Sequence, residues 1–586
     1  MKNIIYGILC LLLISQAVKP QSIQLKIIET SDVHGAIFDY DFKNDTIAGT
    51  SLAKLYSYVK TERSKPEQRV ILLDGGDILQ GQPVVYYYNF EKTNKPHIVA
   101  DVMNYMGYDA ATVGNHDIEA GHPVYDRVKR DFRFPWMAAN AVNNKTGKPY
   151  FTPYKIIKYK GIKVAVLGLI TPAIPNWLPE KIWEGIEFQD MIQSASEWAE
   201  RIRAAEKPDV LIGLFHSGVE YTYNNQKADD EKNENASQLV AERVNGFDII
   251  FTGHDHKIWN KKVNAPSGRE VLIMGPSGEA GSCAVADVKL SFDKKTGQWE
   301  KEIKGATVYA KDYSADAGFV KHFSKPVQEV REYVNKPIGE FSRSISTRES
   351  FFGNSPFIDL IQNIQLKITG ADVSFSAPLS FDAEVKKGKI YVRDMFKLYK
   401  YENLLYTMNL TGKEIKDYLE YSYSLWFNTM KSGNDHLMNF KKDNNGEIIY
   451  SEGGKHPVLA NQYYNFSSAA GINYTVDVSK PSGSRINIVS MSSGAPFDTG
   501  KKYRVAVNSY RGNGGGGHLT EGAGIPKDRL PERVITSTEK DLRYFLMQNI
   551  KQQHKVDPVA TGNWRVIPED WWQKGRERDY ELIFGR

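Results

Sequence analysis

The stretch Val113-Gly114-Asn115-His116-Asp117 decides how the first half of this chain is read. An apolar run, Ala110 to Val113, ends at Gly114, and an amide and an imidazole follow at once. A buried strand delivers polar groups to its C-terminal edge in this way, and open α/β sheets place their ligands at that edge. Four more segments share the pattern. Leu25 to Ser31 runs into Asp32-Val33-His34, and Val70 to Leu73 into Asp74-Gly75-Gly76-Asp77. Val210 to Phe215 runs into His216, and Phe247 to Thr252 into Gly253-His254-Asp255-His256. Five predicted strands thus aim side chains of metal-ligand type at one edge. His254 and His256 alternate, so a strand end would point both the same way.

Around this stretch lie 586 residues, enough for two to four folded units. With 41% hydrophobic and 25% charged residues the composition is that of a globular protein with sizeable cores. A net charge of +5, with basic and acidic residues interleaved, leaves no patch for nucleic acid. Met1-Lys2-Asn3, the apolar run Ile4 to Ile14 and the small residues of Ser15-Gln16-Ala17 predict a secretory signal peptide over residues 1–17. That run is too short to span a membrane, Cys10 has no lipobox before it, and no later stretch approaches a transmembrane segment. The expectation is a secreted or periplasmic protein. After signal removal Cys283 is the only cysteine, which excludes an internal disulfide and reads as a small buried residue.

Residues 22–311 alternate short apolar strands with helical or loop segments, the mark of an α/β domain. Residues 312–337 turn charged, place Val327, Val330, Tyr333 and Val334 at helical spacing and end at Pro337, which predicts a linker helix. The second unit is expected over residues 338–575. There Ser355-Pro356 opens one helix, a capping box from Thr411 to Glu414 opens another, and Asn513 to His518 forms a Gly-rich loop.

Taken together, the blocks of the first unit read Asp-x-His, Gly-Asp, Gly-Asn-His-Asp, His and Gly-His-x-His. This set resembles the calcineurin-like metallophosphoesterase signature, with all five blocks present and in order. The resemblance implies a four-layer α/β/β/α sandwich holding two divalent ions, zinc or manganese by ligand chemistry. It also implies that Asp32, His34 and His256 serve one ion, Asn115, His216 and His254 the other, and that Asp77 bridges them. His116 is left to face the phosphate and protonate the leaving oxygen. Related 5′-nucleotidases carry an Asp three positions after this His, where this chain has Glu119, so either Glu119 or Asp117 is expected to orient His116. Asp74 and Asp255 have no slot in the pattern and are expected to cap loops.

The segments Asn354–Gln362, Ala371–Leu379, Tyr399–Leu419, Asn465–Asp477 and Asn508–His518 are similar to the C-terminal domain of the 5′-nucleotidase superfamily. That resemblance implies a separate α+β substrate-binding domain with two rings clamping a nucleobase. Tyr510 fills one position. Phe466, five residues before Gly471, is the first choice for the other and Tyr464 the reserve, with Arg511 and Asn513 completing the set. Ser376-Ala377-Pro378-Leu379 and Asn508-Ser509-Tyr510-Arg511 look closer to the 2′,3′-cyclic-nucleotide 2′-phosphodiesterase/3′-nucleotidase branch. The implied activity is opening of the cyclic ester with loss of the 2′ oxygen, then removal of the 3′ phosphate to leave a nucleoside. A 5′-nucleotidase or nucleoside-diphosphate-sugar hydrolase would use the same core. A surface protein that only binds would show a lost ligand, and none of the seven is lost. Nothing in the sequence specifies an oligomeric state.

Overall fold

The computed structural model describes residues 22–223, 226–451 and 456–585, and the signal peptide expected over residues 1–17 lies outside them. The five segments that carry the motifs are strands, but they divide between two six-stranded sheets. Ser22–Thr30, Gln68–Asp74 and Ala110–Thr112 run parallel at the centre of one sheet. Val210–His216 and Ile249–Thr252 run parallel at the centre of the other. The hairpin Ser282–Asp293 and Gln298–Tyr309 pairs antiparallel with the first strand and closes the first sheet.

Successive residues of a strand face opposite sides, and here both sides are buried. Ile27, Ile71 and Leu73 meet Val166, Ile212 and Phe251 in one core between the sheets. Their neighbours Ile28 and Leu72 face outward onto Leu55, Val59, Val99 and Val102 of the helices Leu52–Arg63 and Ile98–Met106. On the far side Leu211 and Ile250 pack on Ala195, Ala199 and Val240 of the helices Met191–Glu206 and Ser237–Arg243. The result is the α/β/β/α sandwich. Each fully buried Val, Leu or Ile contributes about 1.5–3 kcal/mol relative to exposure, so these cores can hold strained loops at the strand ends.

In place of one continuous linker helix the chain forms two, Ala317–His322 and Ser324–Val334, broken at Phe323. Both pack on the first unit, through Phe319 and Phe323 against Phe38 and Tyr333 against Tyr87. The second unit is built on a five-stranded sheet ordered Ser468–Ala470, Val373–Ser376, Lys502–Asn508, Leu404–Thr411, Val534–Asp541. Ser355 Oγ caps the helix Pro356–Thr369 by accepting from the Ile358 amide. Thr411 and Glu414 form a reciprocal capping box on the helix Gly412–Trp426. The last helix, Glu569–Phe584, runs past residue 575 and sets Phe584 against Phe351 and Phe381. Arg543 joins the two units, its guanidinium 4.9 Å from the ring centre of Tyr86 and 4.2 Å from that of Phe396. Among the described residues no helix is long and apolar enough to cross a membrane.

Candidate active site

The parallel strands end in loops of unusual backbone. Twelve described non-glycine residues have positive φ, and five of them are Asp32, His34, Asp77, His254 and His256. Such conformations cost about 1–3 kcal/mol each and persist where the surrounding structure imposes them. Five of the seven expected metal-site residues are therefore held in strained loop conformations. The strand Ile249–Thr252 ends before Gly253, so His254 and His256 are not the alternating strand residues expected, and their left-handed backbone sends them to different neighbours.

His34 Nδ1 donates to the Gln80 carbonyl, which leaves Nε2 free to point inward, 3.1 Å from Nε2 of His256. His256 Nε2 is also 3.4 Å from Asp32 Oδ1. His216 Nδ1 donates to the Gly75 carbonyl at 2.7 Å, which turns its Nε2 toward Asn115 Oδ1 at 3.0 Å and Asp77 Oδ2 at 3.1 Å. Asn115 Oδ1 also lies 2.9 Å from His254 Nδ1. The inward atoms are imidazole nitrogens and amide or carboxylate oxygens, converging at contact distance, and they fit a divalent cation better than they fit one another. Asp32, His34 and His256 form one group able to hold an ion, and Asp32, Asp77 and His216 form another. Asp32 is common to the two groups.

Electrostatics follow from this crowding. Burial and the neighbouring His256 hold His34 well below the usual imidazole range, so it presents a free lone pair. Burial opposes protonation of His216 too, but the adjacent Asp77 carboxylate outweighs it and raises His216 to about 10. A proton there and a cation compete for the same nitrogen.

Close backbone approach makes the geometry possible. A Cβ on Gly114 would lie 2.1 Å from Asp77 Oδ1, and one on Gly76 would lie 2.7 Å from the Gly114 nitrogen. His116 Nδ1 sits 2.5 Å from Glu119 Oε2, while its amide donates to Asp77 Oδ1. Burial disfavours the imidazolium, but Asp77 and Glu119 together outweigh it and raise His116 to about 9. Glu119, not Asp117, orients His116. Asp117 is instead a buried brace that accepts from the amides of Gly114, Asp77, Ile78 and Leu79. Asp74 takes the Thr30 hydroxyl and the Gly76 amide, and Asp255 takes the Val219 amide and the Trp259 indole, both as loop caps.

These loops open into a cavity of about 660 Å³ whose opposite wall comes from the second unit. The ends of the strands Val373–Ser376 and Lys502–Asn508 meet there, and Tyr464 and Tyr510 both line it. Phe466 does not. It is 1% exposed and stacks on Trp426 at 5.4 Å with ring planes 5° apart, because an apolar side chain two residues further along the turn falls into the core of the unit. Asn513 also misses the cavity and donates to the Trp177 carbonyl of the first unit. Arg511 lines the cavity, but its guanidinium is held by the carbonyls of Gly515 and Tyr464. The Gly-rich loop serves the same pair. A Cβ on Gly515 would lie 2.6 Å from the Tyr510 ring, and one on Gly516 would lie 2.1 Å from Arg511 Nη1.

Two contributors carried no signal in the sequence. Glu234 Oε1 lies 3.0 Å from His254 Nε2, and the Trp177 ring stacks on His254 at 5.6 Å. Partners of this kind fix a ligand's tautomer and orientation. Neither sits in a motif, because their position depends on loop folding rather than on strand ends.

Comparison with known proteins finds a family match in each half of the chain. Residues 25–258 match the calcineurin-like phosphoesterase family and residues 334–521 match the 5′-nucleotidase C-terminal domain. The trifunctional nucleotide phosphoesterase protein YfkN of Bacillus subtilis is 28% identical over 94% of this chain, which spans only 39% of that protein. The 2′,3′-cyclic-nucleotide 2′-phosphodiesterase/3′-nucleotidase of Salmonella typhimurium is 25% identical over 95% of this chain and 91% of its own length. In fold, a putative 5′-nucleotidase from Staphylococcus aureus superposes with a TM-score of 0.74 at 20% identity, covering 93% of this chain and 99% of the other. The calcineurin-like fold implies a dinuclear site for divalent metal ions, for which the convergent side chains are the candidate ligands. The chain thus carries a calcineurin-like phosphoesterase domain followed by a 5′-nucleotidase C-terminal domain.

Proposed function

We propose that this protein is an exported nucleotide phosphohydrolase, acting as a 2′,3′-cyclic-nucleotide 2′-phosphodiesterase and 3′-nucleotidase. The observation that carries this is one cavity with two unlike walls, convergent ligand-type side chains and His116 on one side and Tyr464 and Tyr510 on the other. The similarity to the Salmonella enzyme along nearly the whole of both chains supports the cyclic and 3′ specificity. We assign Asp32, His34, Asp77, Asn115, His216, His254 and His256 as ligands of two divalent ions, zinc or manganese. Those ions, when bound, would activate the attacking water and neutralise charge on the phosphoryl oxygens.

The chain's own residues do the rest. His116, kept charged by Glu119, gives its proton to the 2′ oxygen as that oxygen leaves the cyclic ester, and again to the 3′ oxygen in the second hydrolysis. Tyr464 and Tyr510 hold the base between them, Arg511 fixes the turn that carries Tyr464, and Glu234 keeps His254 turned inward. The test is a substrate panel with manganese or zinc added. Adenosine 2′,3′-cyclic phosphate and adenosine 3′-phosphate should be hydrolysed with higher kcat/KM than adenosine 5′-phosphate. A preference for the 5′ ester, or for nucleoside-diphosphate sugars, would transfer the same site to a 5′-nucleotidase or sugar-nucleotide hydrolase.

A further inference from the structure

Two of the cations that line the cavity form no ion pair among the described residues. Among its lining residues, Lys257 is tied to Glu220 at 2.5 Å, and Arg511 is spent on two carbonyls. On the acidic side Glu119 is paired with His116, Glu234 with His254, and Asp255 with the Val219 amide and the Trp259 indole. Two cations remain, Lys43 and Lys400. Among the described residues neither ammonium has an ion pair or a hydrogen bond; Lys400 Nζ lies over the Tyr401 ring at 5.6 Å. Both are half-buried.

The two lysines come from different units and both line the cavity. Lys43 follows the first ligand loop, and Lys400 follows the helix Val392–Leu398. The charged groups around Lys43 are Glu279, Lys400, Asp41 and Arg543, and none of them belongs to the metal centre. Burial and repulsion from Lys400 push Lys43 below the usual lysine range, against the opposing pull of Glu279. An anion between them would relieve that repulsion. Glu279 and Asp41 are the acidic side chains in the same field; Glu279 lines the cavity without forming an ion pair to either lysine.

We propose that Lys43 and Lys400 form a second anion subsite, which takes a phosphate of the nucleotide other than the one being hydrolysed. Nucleosides phosphorylated at two positions are then the preferred substrates. This rests on the nucleotide phosphohydrolase assignment above. The cavity of about 660 Å³ falls within the usual range for a site that buries a ligand of this size.

The experiment compares kcat/KM for adenosine 3′,5′-bisphosphate and adenosine 3′-phosphate in the wild type and in Lys43→Met, Lys400→Met and the double variant, with bis-nitrophenyl phosphate as a third substrate. The wild type should favour the bisphosphate, and its ratio to the monophosphate should fall about tenfold in the double variant, the scale of two charge-assisted contacts in a wet site. Because the ratio is internal to each preparation, partial misfolding does not imitate this result. A wild type that turns over both nucleotides without preference, or variants that lose both equally, would overturn the subsite alone. Turnover of bis-nitrophenyl phosphate with no turnover of either nucleotide would remove the nucleotide assignment and the subsite with it.

Discussion

His116 stands beside the convergent side chains without being one of the seven proposed ligands, and its Nδ1 is held by the Glu119 carboxylate on the next turn of chain. His116→Asn is therefore expected to retain metal and lower turnover by about 10²- to 10⁴-fold, the usual worth of a general acid. The loss should shrink with nitrophenyl esters, whose leaving oxygen needs no proton. As an acid, His116 works below its raised pKa and fails as pH rises through it, so activity should decline on the basic side. Glu119→Gln removes one of the charges that raises that pKa, and the basic limb of the kcat profile should move to lower pH. The clamp separates in the same manner. Tyr464→Ala and Tyr510→Ala should each cost about 1–3 kcal/mol of nucleotide binding and spare bis-nitrophenyl phosphate. Phe466→Ala should instead destabilise the second unit by about 3–5 kcal/mol in denaturant melts, because its ring is packed on Trp426. Tyr464 and Phe466 stand in the same polar turn, and the sequence had no means to tell which ring is inside. That choice is made by Trp426, which arrives from a helix 40 positions earlier.

The elements around the site were legible where a short apolar run ended in a polar block, because both halves of that signal are local. Asp32, Asp77, Asn115 and His216 are each found directly at or just beyond a strand end. What was not legible depends on how the loops after those strands turn. His254 and His256 lie beyond the strand in left-handed backbone, Glu234 reaches His254 from a separate loop, and Asp32 extends into both ligand groups. The same loops make a prediction about glycine. Gly114 has an ordinary φ of −102°, so alanine is not excluded there by backbone conformation. It is excluded by space, since the added Cβ would meet Asp77 Oδ1. Gly114→Ala should lower the metal content and activity of a protein whose circular dichroism and thermal unfolding show the sheets intact.

At the scale of the molecule, two folded units share one cavity, to which the first brings the proposed ligands and the second Tyr464 and Tyr510. The seven proposed ligands all lie in the first unit, in loops anchored by the sandwich cores, so the metal centre should be separable from the fold. Asp77→Asn is expected to deplete bound metal and abolish turnover while leaving the melting of both units close to wild type; full metal occupancy with normal turnover would remove Asp77 from the ligand set. The assignment of the whole chain to cyclic and 3′ nucleotides is tested most directly by following adenosine 2′,3′-cyclic phosphate by phosphorus magnetic resonance with zinc present. The account predicts that the cyclic signal gives way to adenosine 3′-phosphate and then to free phosphate. Accumulation of adenosine 2′-phosphate, or an unchanged cyclic signal in a preparation that hydrolyses adenosine 5′-phosphate, would contradict it.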